Sequence, residues 1–71
     1  MSRPYRLWDN KTKHDVRWCY YASPARALEA ALRQVHWAKP GATIDVYNCE
    51  TGNVFGQYTR RPVGITFWRK P

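Results

Sequence analysis

Apolar residues recur along this chain with two different periods. Over Arg3–Asp9, Tyr5 and Leu7 alternate with polar neighbours, which predicts a first strand with those two side chains on one face. Residues 10–14 (Asn-Lys-Thr-Lys-His) are polar throughout and read as a turn. From Val16 to Tyr21, Val16, Trp18 and Tyr20 alternate with Arg17, Cys19 and Tyr21, so a second strand is expected to close a hairpin with the first. Simple alternation would send Val16 and Trp18 to one face, Arg17 and Tyr21 to the other.

The period then changes. Ser23-Pro24 is a helix start: the serine hydroxyl accepts a hydrogen bond from an orphan backbone N–H, and proline in the first turn gives up a donor that would be unused. Ala25 to Val35 is rich in helix formers. Leu28, Leu32 and Val35, with Ala31 and Pro24, fall on one stripe, which is expected to be the core face. Lys39-Pro40-Gly41 ends the helix.

Alternation returns at Thr43–Asn48, with Ile44 and Val46 expected inward and Tyr47 outward. Glu50-Thr51-Gly52-Asn53 is a turn, and Val54–Thr59 runs back. After the break at Arg60-Arg61-Pro62, Val63–Trp68 can form a last strand with Val63, Ile65 and Phe67 on one face. The element order is ββαββ or ββαβββ. The predicted fold class is α+β, a small antiparallel sheet of four or five strands with a single helix packed on one face and the other face open. One compact domain over residues 1–71 is expected, with the basic stretch 60–71 partly flexible.

A chain of 71 residues has little core to draw on. Its aromatics make up 15% of residues, four of them Trp, and each can bury roughly 150–250 Å². Several therefore serve packing. No apolar run is long enough to span a bilayer, and the first residues lack the apolar stretch of a secretory signal. The chain is expected to be a complete small gene product in the cytoplasm, with Cys19 and Cys49 as free thiols.

Charge changes the picture more. Twelve Lys and Arg face five acids, a formal net charge of +7. That excess points to a partner carrying negative charge. Two surfaces combine cations with aromatics. On the outer helix face Arg26, Ala30, Arg33 and Trp37 form a stripe in which Arg33 can stack on Trp37. The competing reading folds Trp37 back onto the sheet. The second surface is the open sheet face with the C-terminal segment: Arg17, Tyr21, Tyr47, Arg60, Arg61, Trp68, Arg69 and Lys70, with no acid after Glu50. Cations interleaved with aromatics suit a single nucleic-acid strand, whose bases stack while its phosphates meet the charges. The competing reading is a solvated rim that keeps the domain soluble.

Other chemistry finds no support. His14, Cys19, His36 and Cys49 lack the paired spacings of a zinc site, so no metal and no cofactor is expected. The five acids are scattered, without the close pair that general acid–base work needs, and no phosphate-cradling glycine loop is present. An enzyme is not expected.

Two functions remain. The first is a small regulatory protein, of a kind phages and mobile elements encode, that docks on an acidic protein surface of nucleic-acid machinery such as the transcription apparatus and inhibits or retunes it. The second is direct binding of DNA or RNA by the basic, aromatic-studded surface. No helix-turn-helix, finger or RNA-module motif assigns the chain to a known reader. A third reading is a basic packaging component. A monomer or a weak homodimer is expected, with no membrane contact.

Overall fold

Ser23 stands at the helix start in extended conformation, and its Oγ accepts from the Arg26 N–H at 3.3 Å. Pro24 follows inside the first turn, and the helix runs until Trp37 caps it. Around it the computed structural model describes residues 3–69; the side chains of residues 17–19 lie outside that description. The elements are β1 (Tyr5–Asp9), β2 (His14–Tyr21), α1 (Pro24–His36), β3 (Thr43–Asn48), β4 (Val54–Arg60) and β5 (Ile65–Arg69). The strands form one sheet in the order β2-β1-β3-β4-β5, and all neighbouring pairs are antiparallel. The fold is α+β, with one helix on one face of an antiparallel sheet, as the periodicity predicts.

The core lies between α1 and the middle strands. Leu7, Ala27, Ala31, Val35, Ile44 and Val46 are buried there. The helix therefore sits on Ala27, Ala31 and Val35, with Leu28 packed against this core; Ala31, Val35 and Leu28 are as expected, Ala27 is added, and the expected inward position of Leu32 is corrected. Small alanines let the helix approach the sheet closely, and the strands supply the bulk. Leu28 lies towards the flank, against Gly56 of β4. Leu32, one turn further along that flank, is 43% exposed.

The hairpin of β1 and β2 contains a second correction. Tyr5 sits opposite Tyr21 and Arg6 opposite Tyr20, yet Trp8 sits opposite Asp15 and Asp9 opposite His14. Residues 16–19 thus occupy the length of the single Leu7, three more than regular pairing allows. An odd number of extra residues reverses the alternation. Val16 and Tyr21, five positions apart, both pack against the core under the helix. Tyr20 faces the other way, so Tyr20 and Tyr21 exchange the sides that simple alternation assigns them. The expected positions of Arg17 and Trp18 lie outside the described side chains.

A smaller irregularity falls in β4. Val46 pairs with Gly56 but Tyr47 with Val54, leaving Phe55 as a bulge residue. Its ring meets that of Tyr5 edge-on at 5.2 Å.

The stretch after β4 turns through Gly64, at φ +84°, and Arg61 N–H donates to the Gly64 carbonyl. Val63 lies in this turn and so does not share the face of Ile65 and Phe67. β5 pairs along the length of β4, from Arg60 with Ile65 to Gly56 with Arg69. Among the described residues no helix is long and apolar enough to cross a membrane.

Candidate functional site

A 13-residue helix is about 20 Å long and can cover only one side of a five-stranded sheet. The other side is left uncovered. Alternation and register place Arg6 and Trp8 of β1, Asp15 and Tyr20 of β2, Asp45 and Tyr47 of β3, Val54 and Gln57 of β4, and Trp68 of β5 on it. Trp8 is central, with Asp15 on one neighbouring strand and Asp45 on the other.

The polar groups of this face are organised. The Tyr47 hydroxyl donates to Asp15 Oδ1 at 2.7 Å, and Arg6 Nη1 lies 3.8 Å from Asp15 Oδ2. The Arg6 guanidinium also sits 4.6 Å from the centre of the Tyr20 ring, a cation–π contact. Burial pushes the Tyr47 phenol up to about 12, helped by its hydrogen bond to Asp15 and the negative charge there, while Arg6 pulls weakly the other way. Asp45 is held differently. Gln57 Nε2 donates to its Oδ1 at 2.7 Å and Asn10 Nδ2 to its Oδ2 at 2.9 Å.

Trp8 separates two open clefts. One, of about 280 Å³, is lined by Trp8, Asp45, Tyr47, Gly52 and Val54. The other, of about 710 Å³, runs along Trp8, Asp15, Tyr20 and the turn residues Thr12, Lys13 and His14. Turn geometry shapes both. Gly52, at φ +78°, closes the β3–β4 turn by donating its N–H to the Asn48 carbonyl. Lys13, at φ +61°, closes the β1–β2 turn on the Asp9 carbonyl.

The residues singled out from the sequence do not gather in one place. Tyr47 and Trp68 reach the open face, Trp68 being 51% exposed. Tyr21 lies on the helix side. Arg26, Arg33 and Trp37 sit on or beside the helix, across the sheet from the open face. There Arg33 turns back to Glu29 at 3.0 Å instead of stacking on Trp37, because the acid one turn earlier is within reach. Trp37 does not fold back onto the sheet; it is 85% exposed, its ring edge-on to His36. Arg60 and Arg69 are on the helix side of the β4–β5 ribbon, opposite Ile65 and Gly56, and Arg61 is exposed in the turn. Arg17 and Lys70 fall outside the described side chains.

Arg6, Trp8, Asp15, Asp45 and Gln57 were not singled out from the sequence. The signal for most of them is period two: if Tyr5 and Leu7 point in, Arg6 and Trp8 point out, and Asp45 lies between inward Ile44 and Val46. Only the pairing of strands, however, brings Asp15 and Asp45 to either side of one tryptophan. Among the described residues no group of three or more His, Cys, Asp or Glu is placed to hold a metal ion. Cys49 is exposed and free. No protein-family model, no curated protein and no solved structure matches this chain.

Proposed function

We propose that this is a non-enzymatic binding protein that takes single-stranded nucleic acid directly on the uncovered face of its sheet. The observation that carries this reading is the presence of Trp8, Tyr20, Tyr47 and Trp68 together on that face. Stacking on aromatic side chains is worth about 1–3 kcal/mol per base and needs unpaired bases. A duplex keeps its bases stacked on each other and would leave these rings unused. Lys11 and Lys13 in one bordering turn and Arg61 in the β4–β5 turn lie at the edges of the platform, within a molecule of net charge +7. Phosphates on a strand crossing the face would meet them.

The test is binding of a fluorescent single-stranded oligonucleotide and its duplex form, followed by anisotropy. The single strand is expected to bind more tightly than the duplex, with affinity falling steeply between 50 and 200 mM salt, as counterion release requires. Trp8→Ala and Trp68→Ala are each expected to cost about tenfold in affinity. Equal affinity for duplex, or unchanged binding by the Trp8→Ala/Trp68→Ala double variant, would overturn the reading.

One observation favours a second reading, docking on an acidic protein surface of nucleic-acid machinery. β5 is an edge strand, exposed from Thr66 to Arg69, with Phe67 and Trp68 on its two sides and Arg60, Arg61 and Arg69 around it. Such an edge can accept an extended acidic segment as a sixth strand. Capture of one defined protein that survives nuclease treatment and is lost in a Phe67→Glu variant supports this reading over the first.

A further inference from the structure

Within the proposed strand-binding face, the cleft between Trp8 and the β3–β4 turn has a chemistry of its own. Asp45 is its carboxylate. In a chain with twelve Lys and Arg, this acid makes no ion pair among the described residues. Its hydrogen-bond partners are two neutral side-chain amides, one on each oxygen. A carboxylate accepts at about four lone-pair positions, so each oxygen keeps capacity for another donor. Asn10, from the β1–β2 turn, and Gln57, from β4, hold the group from two sides without neutralising it.

A half-buried negative charge beside an indole and a phenol calls for a planar ligand that presents two adjacent donors. Among the nucleobases guanine alone does so, through N1–H and the N2 amino group on its Watson–Crick edge. Adenine and cytosine each set an acceptor nitrogen beside their amino group, and that lone pair would oppose the carboxylate. Uracil and thymine have one N–H between two carbonyls. The guanidinium of an arginine-containing peptide offers the same pair of donors. The net charge of the protein decides between them: a molecule at +7 repels a cationic peptide, whereas a guanine arrives on a phosphate chain that it attracts.

We infer that the cleft lined by Trp8, Asp45, Tyr47, Gly52 and Val54 is a guanine pocket, with Asp45 accepting from N1–H and N2–H and the aromatic side chains packing on the base. The inference rests on the proposed use of this face. It gives a binding surface with otherwise sequence-tolerant stacking one position of base preference.

The experiment compares single-stranded 8-mers that differ only at one central position, carrying G, A, C, U or inosine, titrated against the full chain. Guanine is expected to bind about tenfold more tightly than the others, the scale of one bidentate base contact. Inosine, which lacks the N2 amino group, is expected to lose much of that gain with no change to the protein. Asp45→Asn is expected to abolish the preference while leaving affinity for the adenine 8-mer equal or higher, since a negative charge is removed. A circular-dichroism spectrum checks that the variant is folded. Binding to all 8-mers without preference, or a preference that survives both inosine and Asp45→Asn, overturns the pocket and leaves the strand-binding face standing. Binding to none of them overturns both. Displacement of a bound 8-mer by an arginine-containing peptide in the wild type, and not in Asp45→Asn, assigns the carboxylate to a guanidinium and overturns the guanine assignment.

Discussion

Gly56 is needed for close approach rather than for an unusual backbone angle. A β-carbon there would lie 3.0 Å from Leu28 Cδ2, 3.1 Å from Phe67 Cε1 and 3.2 Å from the Trp68 carbonyl oxygen. Two of these neighbours are side chains, but the third is backbone of the paired strand and cannot swing away. Gly56→Ala is expected to destabilise the fold by about 1–3 kcal/mol, read from the urea midpoint. A midpoint equal to that of the wild type would mean that β5 yields easily. Tyr47 supports a prediction in pH. Its pKa rises from 10.0 to about 12 on folding, so the fold favours the neutral phenol. That contribution is fully present below pH 10 and is lost as pH climbs towards 12. The wild type should lose stability more steeply over this window than Tyr47→Phe, which has no proton to give up there. Parallel loss in both proteins, measured by urea unfolding from pH 9 to pH 12, would contradict the assigned cause. Tyr47 was legible as an outward residue because it follows Val46 in an alternation whose inward members are Ile44 and Val46. Its partner was not, since Asp15 lies 32 positions away in sequence.

At the scale of elements, the helix and the β1–β2 hairpin show where patterning is sufficient and where it fails. Helix position and ends follow from Ser23, Pro24 and the break at Pro40. Its contact face follows only in part: Ala31 and Val35 were expected there, but hydrophobicity ranks Leu32 above Ala27 while packing against a bulky sheet selects the alanine. Ala31→Leu is therefore expected to cost about 1–3 kcal/mol by overpacking. Leu32→Gln, on the half-exposed flank, should change stability by less than about 1 kcal/mol, since little apolar surface is withdrawn from water there. The reverse ranking in thermal or urea unfolding would restore the leucine stripe as the core face. In β2 the sequence alternates without interruption, and nothing in residues 16–19 announces that pairing slips by three. The slip depends on where β1 finds its hydrogen-bonding partners, a property of two strands together. It decides that Tyr20 lies on the uncovered side of the sheet and Tyr21 on the helix side.

At the scale of the whole molecule, strand order controls both stability and exposure. β1 and β3 are central, though they are not neighbours in the chain, because α1 carries β3 back past β2 to the free side of β1. Amide exchange is expected to be slowest in β1, β3 and β4, which each have two paired neighbours, and fastest in the outward-facing amides of the edge strands β2 and β5. Protection of β5 equal to that of β3 would show its edge to be covered, as in a homodimer. The net charge also acts globally. It is spread around the rim and the helix rather than concentrated on the aromatic face, so under the proposed function it would set encounter rate and salt sensitivity, while the rings and Asp45 would set what fits.

By itself the sequence determined the element order up to the last strand, the α+β class, the openness of one sheet face and the excess of positive charge. Each of these follows from local periodicity, capping chemistry or composition, which a chain carries without folding. The tertiary structure decided that Ile65–Arg69 forms a fifth strand, which strands are neighbours, where pairing slips, and hence which residues share a surface. That is why Arg26, Arg33 and Trp37 separate from Tyr47 and Trp68, and why Trp8 comes to lie between Asp15 and Asp45. Contacts between residues thirty or more positions apart depend on register and sheet order, and these are set by the joint packing of all the strands with the helix rather than by any one segment.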